Sequence, residues 1–247
     1  WVPEKFEDYV YMTQWFQAEV VKVAMEAHRR AKPYCMGTLY WQINDCWPAI
    51  SWSSVDYYGK WKALQYYTRR AYIPILASPY IDNEGNIVVK VVSDRAECFN
   101  GVLESIVMEF DGKVIAEQTM NCSLDANGAE NIVKIDGKDL KGNRFLLVRL
   151  RENGKTICEN TFFSRYANDY EYGKPSINIE TVQIPDGVEL TLTSDRLARG
   201  FYLFSDNDED FFEDNYIDLV PGREYKLKVR TKTTAEEFKT TIKYQTL

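Results

Sequence analysis

No apolar run in these 247 residues approaches the roughly 18 that a membrane-spanning helix needs. No basic excess is present either: the net charge is −7, so the footprint that neutralises nucleic-acid phosphates is missing. Neither a membrane span nor a nucleic-acid partner is expected. Histidine is almost absent, and a Ser-His-Asp or Cys-His centre would have to use His28, which lies between Ala27 and Arg29 in a helical pattern and reads as structural or solvated. The five cysteines, Cys35, Cys46, Cys98, Cys122 and Cys158, contain no CxxC pair, and their odd number leaves a thiol over. A zinc site would have to gather scattered residues, so the cysteines are read as buried free thiols behaving as small hydrophobes, and no metal or cofactor is expected. Also missing are an initiator methionine and a charged-then-apolar leader before Trp1, which reads as a processed chain or a piece of a longer one. The sequence therefore does not choose among soluble periplasmic, secreted and lysosomal settings, nor between a monomer and a homo-oligomer.

What is present is unevenly distributed. All six tryptophans (Trp1, Trp15, Trp41, Trp47, Trp52 and Trp61) precede residue 62, so two kinds of structure are joined. Residues 1–72 carry 9 basic and 7 acidic groups, residues 73–166 carry 11 and 14, and residues 167–247 carry 10 and 16. In the first part Phe16, Val20, Val23, Ala24, Ala27 and Ala31 recur at helical spacing, predicting an amphipathic helix from about Glu7 to Arg30 that Pro33 stops. Tyr34 to Ile43 is a short apolar run that reads as a buried strand. A tryptophan-rich loop follows, and Leu64, Tyr67 and Ala71 predict a second helix ending near Pro74.

From Ile73 the hydrophobic period changes to two. Strands are expected at Ile87 to Val92, Val102 to Phe110, Lys113 to Thr119, Arg144 to Leu150 and Thr156 to Phe163, with Asp111-Gly112 and Asn153-Gly154 as two-residue hairpin turns. After a tyrosine-rich joint at Tyr166 to Pro175 the pattern resumes at Ile177 to Gln183, Val188 to Thr193, Gly200 to Ser205, Tyr216 to Leu219, Glu224 to Arg230 and Phe238 to Tyr244. The expected fold is mostly β, with sandwiches over 73–166 and 167–247 whose cores are aliphatic and phenylalanine-based.

The segment richest in chemistry is Trp41-Gln42-Ile43-Asn44-Asp45-Cys46-Trp47-Pro48, followed by Ser51-Trp52-Ser53-Ser54-Val55-Asp56-Tyr57-Tyr58-Gly59-Lys60-Trp61-Lys62. Aromatics beside amide and carboxylate groups suit a pyranose, whose CH face stacks on a ring while its hydroxyls take a few placed polar partners. The plain alternative is that the rings are core. This segment resembles the end of the catalytic barrel in β-mannosidases of glycoside hydrolase family two, densely over residues 36–72, with Tyr11-Met12-Thr13-Gln14-Trp15 upstream in keeping. Further on the likeness is looser and includes Asp214-Asn215-Tyr216-Ile217-Asp218-Leu219-Val220-Pro221-Gly222.

The resemblance implies that residues 1–72 are the last helix, strand eight and helix of a truncated (β/α)8 barrel, with two immunoglobulin-like sandwiches after it. Barrel sites sit at the C-terminal ends of strands, so Trp41, Asn44, Asp45 and Trp47 are expected at the pocket rim as substrate-binding residues. It implies a retaining exo-β-mannosidase acting on terminal β-linked mannose of oligosaccharides, with both catalytic glutamates upstream of this chain, so that no catalytic residue lies within it and the chain alone is inactive. Retaining hydrolysis needs two carboxyls about 5 Å apart, and no such pair stands out. Asp45 and Asp56 are the acids near the aromatics. Asn83-Glu84 mimics the family's acid/base dipeptide, but falls in a turn of a sandwich. Asp206-Asn207-Asp208-Glu209-Asp210 fails as an EF-hand loop because Phe211 stands at the glycine position and Ile217 at the twelfth. Kept beside this reading are a stand-alone carbohydrate-binding or structural module, and a family-two glycosidase of other specificity such as a β-galactosidase or β-glucuronidase. For a barrel strand cut from its neighbours, Tyr34 to Ile43 is expected to pack on the first sandwich, pair with another copy or lose order.

Overall fold

The computed structural model describes residues 3–247; Trp1 and Val2, at the start of the expected barrel remnant, lie outside the described residues. Helix α1 runs from Phe6 to Arg30, with Glu7 and Asp8 in its first turn and His28, Arg29 and Arg30 in its last, the charge order the helix dipole favours. Helix α2 is Ala63–Ala71. The described chain forms two compact units: one comprises residues up to Val21, Tyr40–Thr68 and Tyr172–Leu247, and the other Lys22–Leu39 and Arg69–Glu171.

The unit holding the first sandwich has strands β1 (Ile75–Ile81), β2 (Ile87–Ser93), β3 (Phe99–Glu109), β4 (Val114–Leu124), β5 (Ala129–Ile135), β6 (Arg144–Glu152) and β7 (Lys155–Phe162). They form antiparallel sheets ordered β1-β2-β5 and β4-β3-β6-β7. Inward residues of both sheets, including Ile87, Val89, Val91, Leu103, Val107, Val148 and Leu150, make one aliphatic core. Asn153 and Gly154 both take positive φ, and Glu152 pairs with Lys155, the two-residue turn expected. The other turn is longer than expected: Glu109 N–H donates to Lys113 O, so Phe110, Asp111 and Gly112 form a three-residue connection with glycine left-handed at φ 92°. Pro79 lies in β1, an edge strand, where the ladder tolerates a missing N–H.

The other unit holds β8 (Ile177–Ile184), β9 (Gly187–Ser194), β10 (Ala198–Phe204), β11 (Phe211–Phe212), β12 (Ile217–Leu219), β13 (Tyr225–Arg230) and β14 (Lys243–Gln245), in sheets ordered β11-β13-β9-β8 and β12-β10-β14. Val188, Leu190, Leu192, Phe201, Leu203, Val229 and Phe238 fill its core. Here the expected strand at Phe238 to Tyr244 is corrected. Residues Ala235–Thr241 are helix α3, because Thr234 and Glu237 form a reciprocal capping box that starts a helix and turns Phe238 into the core; strand structure resumes only at Lys243.

Two further expectations change. The buried face of α1 is Tyr11, Trp15, Ala18, Met25 and Arg29, while the apolar stripe leaves Phe16, Val20 and Val23 exposed at 63%, 52% and 63%. The buried set has the same period but lies on nearly the opposite face of the helix. Two of its large amphipathic members pair their polar ends: Tyr11 Oη donates to Gly200 O (2.9 Å), and Arg29 donates to Ala71 O (2.5 Å) and Asp94 Oδ2 (2.7 Å), whereas the buried Trp15 Nε1 has no hydrogen-bond partner. Secondly, Tyr34 to Ile43 forms no strand, with Tyr34 and Leu39 each 98% exposed. A parallel barrel strand is held by ladders on both sides, and none forms here. The segment's first part, up to Leu39, falls in the compact unit of the first sandwich, and the rest, from Tyr40, in the other unit. Residues 31–39 group with that sandwich, Lys32 Nζ donating to Ser93 O and Asn127 Oδ1 and pairing with Asp94, and Tyr72 Oη donating to Thr38 O.

Candidate functional site

Residues 40–56 double back on themselves. Ser54 N–H donates to Gln42 O (3.0 Å), Val55 N–H to Ile43 O (2.7 Å) and Asp45 N–H to Val55 O (3.2 Å), so the chain between 45 and 54 is a loop closed at its base. Beneath the closure, the Ser54 hydroxyl lies 2.9 Å from Tyr40 Oη and 2.7 Å from Gln65 Oε1, which anchors it to α2. The ends are fixed by backbone pairing, so the tip can carry exposed side chains.

The four residues expected at a binding rim all fall on the outgoing limb of this loop, but in different environments. Trp41 and Trp47 are 74% and 67% exposed; Asn44 is exposed as well, with its amide Nδ2 donating to Asp45 O (3.3 Å). Asp45 is only 8% exposed. Its Oδ1 accepts from Ser51 Oγ (2.6 Å) and its Oδ2 from Ser53 Oγ (2.6 Å), with Lys62 Nζ 3.4 Å from Oδ2. Those hydroxyl bonds, then Lys62, hold its carboxyl below the usual carboxylate range. Four participants were not singled out in the sequence. Trp52 is 60% exposed between the two serines, and Ser51, Ser53 and Lys62 complete the network under it. The signal available was the Ser-Trp-Ser alternation, which on an extended limb turns both hydroxyls one way and the ring the other.

The remaining candidates are accounted for by local partners. Asp56 Oδ1 accepts from the N–H groups of Tyr58 and Lys60. Glu84 sits in the turn between β1 and β2, paired with Lys134 at 2.7 Å. In the acidic loop Asp206 pairs with Lys243, Glu209 with Lys232, and Asp210 accepts from Ser205 and Asn207. Among the described residues no group of three or more His, Cys, Asp or Glu is placed to hold a metal ion. His28 Nδ1 lies 2.7 Å from Thr38 Oγ1. The cysteines are all free, but only Cys122 and Cys158 are buried; Cys46 and Cys98 are exposed and Cys35 half-buried, which corrects the expectation of five buried thiols. Cys46 lies on the exposed loop, just beyond its base, and Cys98 just before the buried start of β3.

Residues 85–166 match the family described as a mannosidase Ig/CBM-like domain, and residues 173–247 match an Ig-fold domain family named for mannosidases. A solved β-D-mannosidase from Dictyoglomus thermophilum superposes on the whole chain with a TM-score of 0.90 at 27% identity, over 30% of its own length. The chain is similar, along its whole length, to the C-terminal region of β-mannosidases. β-Mannosidase A of Neosartorya fischeri is 29% identical over 88% of this chain and 26% of its own length, and β-mannosidase of Capra hircus is 45% identical over 32% of this chain and 10% of its own. The chain thus spans about a quarter of the fungal relative. An exo-chitosanase of Amycolatopsis orientalis, at 17% identity and a TM-score of 0.74 over 98% of the chain, shares the fold. No described helix is long and apolar enough to cross a membrane.

Proposed function

We propose that this chain is the C-terminal part of a retaining exo-β-mannosidase, contributing one rim of the sugar pocket and two immunoglobulin-like domains bounded near residues 73 and 167. The observation that carries the reading is the loop at 41–53, whose tryptophans are held out into solvent by a hydrogen-bonded base rather than folded into a core. Exposed indole faces are costly unless something covers them, and the CH face of a pyranose is a fitting cover. Trp41 and Trp47 would form stacking walls, and Asn44 would offer an amide to a sugar hydroxyl.

The chemistry itself is assigned to residues outside this chain. Double displacement at an anomeric carbon needs a nucleophilic carboxylate and an acid/base carboxyl about 5 Å apart. Each oxygen of Asp45 accepts a serine hydroxyl, and Asp56 Oδ1 accepts two backbone N–H groups of its own loop. The chain by itself should therefore leave an aryl β-mannoside intact, while a longer protein containing it cleaves the same glycoside. In that longer protein Trp41→Ala should lower kcat/KM by about 10- to 100-fold, corresponding to ~1–3 kcal/mol for one lost pocket contact. Turnover by the purified chain that vanishes in Asp45→Asn, or unchanged kcat/KM in Trp41→Ala, would refute the proposal. Preference for aryl β-galactoside or β-glucuronide would reassign the specificity.

A further inference from the structure

Asp45 lies among residues placed at a sugar-binding rim, yet it is nearly buried and each of its carboxylate oxygens already accepts a serine hydroxyl. We infer that Asp45 is a positioning residue: its carboxylate ties the outgoing limb of the loop to Ser51 and Ser53 on the returning limb, and so fixes how Trp47 and Trp52 are presented to a β-mannoside. The inference rests on the reading of this loop as a sugar-facing rim.

The proton directions in the network are determined by its members. Lys62 Nζ donates to Ser53 Oγ at 2.9 Å, and an ammonium has only donors, so the single hydroxyl proton of Ser53 points to Asp45 Oδ2 at 2.6 Å. Ser51 Oγ accepts from Ser53 N–H at 3.1 Å and lies 2.6 Å from Asp45 Oδ1 and 3.0 Å from Ser53 Oγ, so its proton goes to the nearer, charged oxygen of Asp45. Both oxygens of residue 45 must therefore be acceptors, which an ionised carboxylate satisfies and an amide does not, since its NH2 would face a hydroxyl already committed to donate. Trp52 stands between the two tied serines, and Trp47 lies two residues beyond Asp45, so each exposed indole is one or two residues from a fixed point. An indole presented without such a tie would sample several rotamers, and ordering it on the ligand would weaken binding.

The test uses the 247-residue chain, with methyl β-D-mannopyranoside as probe. In Asp45→Asn, amide exchange over residues 46–52 should quicken at least tenfold, the indole N–H resonances of Trp47 and Trp52 should shift, and affinity for the glycoside should fall about tenfold. The thermal midpoints of both sandwiches should stay where they are. Ser51→Ala should reproduce a smaller part of each change and Ser51→Thr, which keeps the hydroxyl, should restore it; this pair decides the matter if Asp45→Asn fails to fold. Unmoved exchange and indole resonances in Asp45→Asn would overturn the inference, as would a displaced loop with undiminished glycoside affinity. If the 247-residue chain binds no glycoside while the loop responds as described, the effect on the sugar is read from Asp45→Asn in the longer protein containing the chain, where unchanged kcat/KM overturns the presentation of the indoles to a β-mannoside and the tie between Asp45 and the serines stands.

Discussion

Replacing Gly200 by alanine adds one methyl group where α1 meets β10, and the cost can be divided in advance. Gly200 has φ +64°, and its Cβ would lie 2.7 Å from both Cδ1 and Nε1 of Trp15 and 3.0 Å from Tyr11 Oη. Its backbone cannot easily move aside, because its carbonyl accepts from Tyr11 Oη (2.9 Å) and its N–H donates to Asp218 Oδ1 (2.7 Å). The left-handed conformation costs a non-glycine residue about 1 kcal/mol. Overpacking against a buried, well-ordered indole adds about 1–3 kcal/mol. Gly222 supplies the control: its φ is +75° and no heavy atom lies within 4 Å of its Cβ, so Gly222→Ala bears the conformational cost alone. Both glycines are in the same unit, so urea denaturation followed by tryptophan fluorescence and circular dichroism compares them directly. Gly200→Ala should be the worse by ~1–3 kcal/mol. In the Trp15→Ala background, itself destabilised by about 3–5 kcal/mol, the excess should shrink by about 1 kcal/mol or more. Equal losses from the two glycine variants, or strictly additive effects with Trp15→Ala, would refute this seating of α1.

Two other outcomes follow from the same geometry. Burial pushes the Cys122 and Cys158 thiols up to about 12, opposed at Cys158 by the Ala77 N–H bond to its sulfur (3.3 Å). Their folded values exceed the ~8.5 of an unfolded cysteine, so their contribution to stability is complete below pH 8.5. It is lost progressively as pH rises from there towards pH 12. A thiol reagent at pH 8 should label Cys46 and Cys98 at once and these two only on unfolding; rapid labelling of all five would contradict it. Thr234→Ala should cost about 1 kcal/mol by removing the cap on α3, and Thr234→Ser almost nothing, measured by urea midpoint; equal losses would show that the hydroxyl does not cap.

The sandwich strands were legible because their information is local. Ile87 to Val92 and Arg144 to Leu150 are β-branched or aliphatic runs bounded by turn residues, and Asn153-Gly154 encodes its turn in two positive φ angles. Where two local signals compete, the reading failed. Phe238 to Tyr244 alternates well enough for a strand, but the Thr234–Glu237 box three residues apart decides for a helix. The face of α1 failed for another reason: counting apolar residues favours Phe16, Val20 and Val23, whereas burial went to the face carrying Tyr11 and Arg29, whose partners Gly200, Ala71 and Asp94 no local pattern reveals.

The candidate site divides along the same line. Its aromatics were legible from composition, since no other segment combines so many indoles with amides and carboxylates. The role of Asp45 was not, because it depends on Ser51, Ser53 and Lys62, which lie 6, 8 and 17 residues away and meet it only once the loop closes. Tyr34 to Ile43 marks the limit most clearly. An apolar run with a glycine records what a strand demands of its surroundings, namely apolar cover on both faces and a ladder on each side. It says nothing about whether the chain supplies them. With no ladder formed, backbone groups turn to water or to side chains such as Tyr72, and side chains chosen for burial stand exposed. Hydrophobic pattern thus reads reliably as a requirement, and becomes a structure only where the same chain holds the partner.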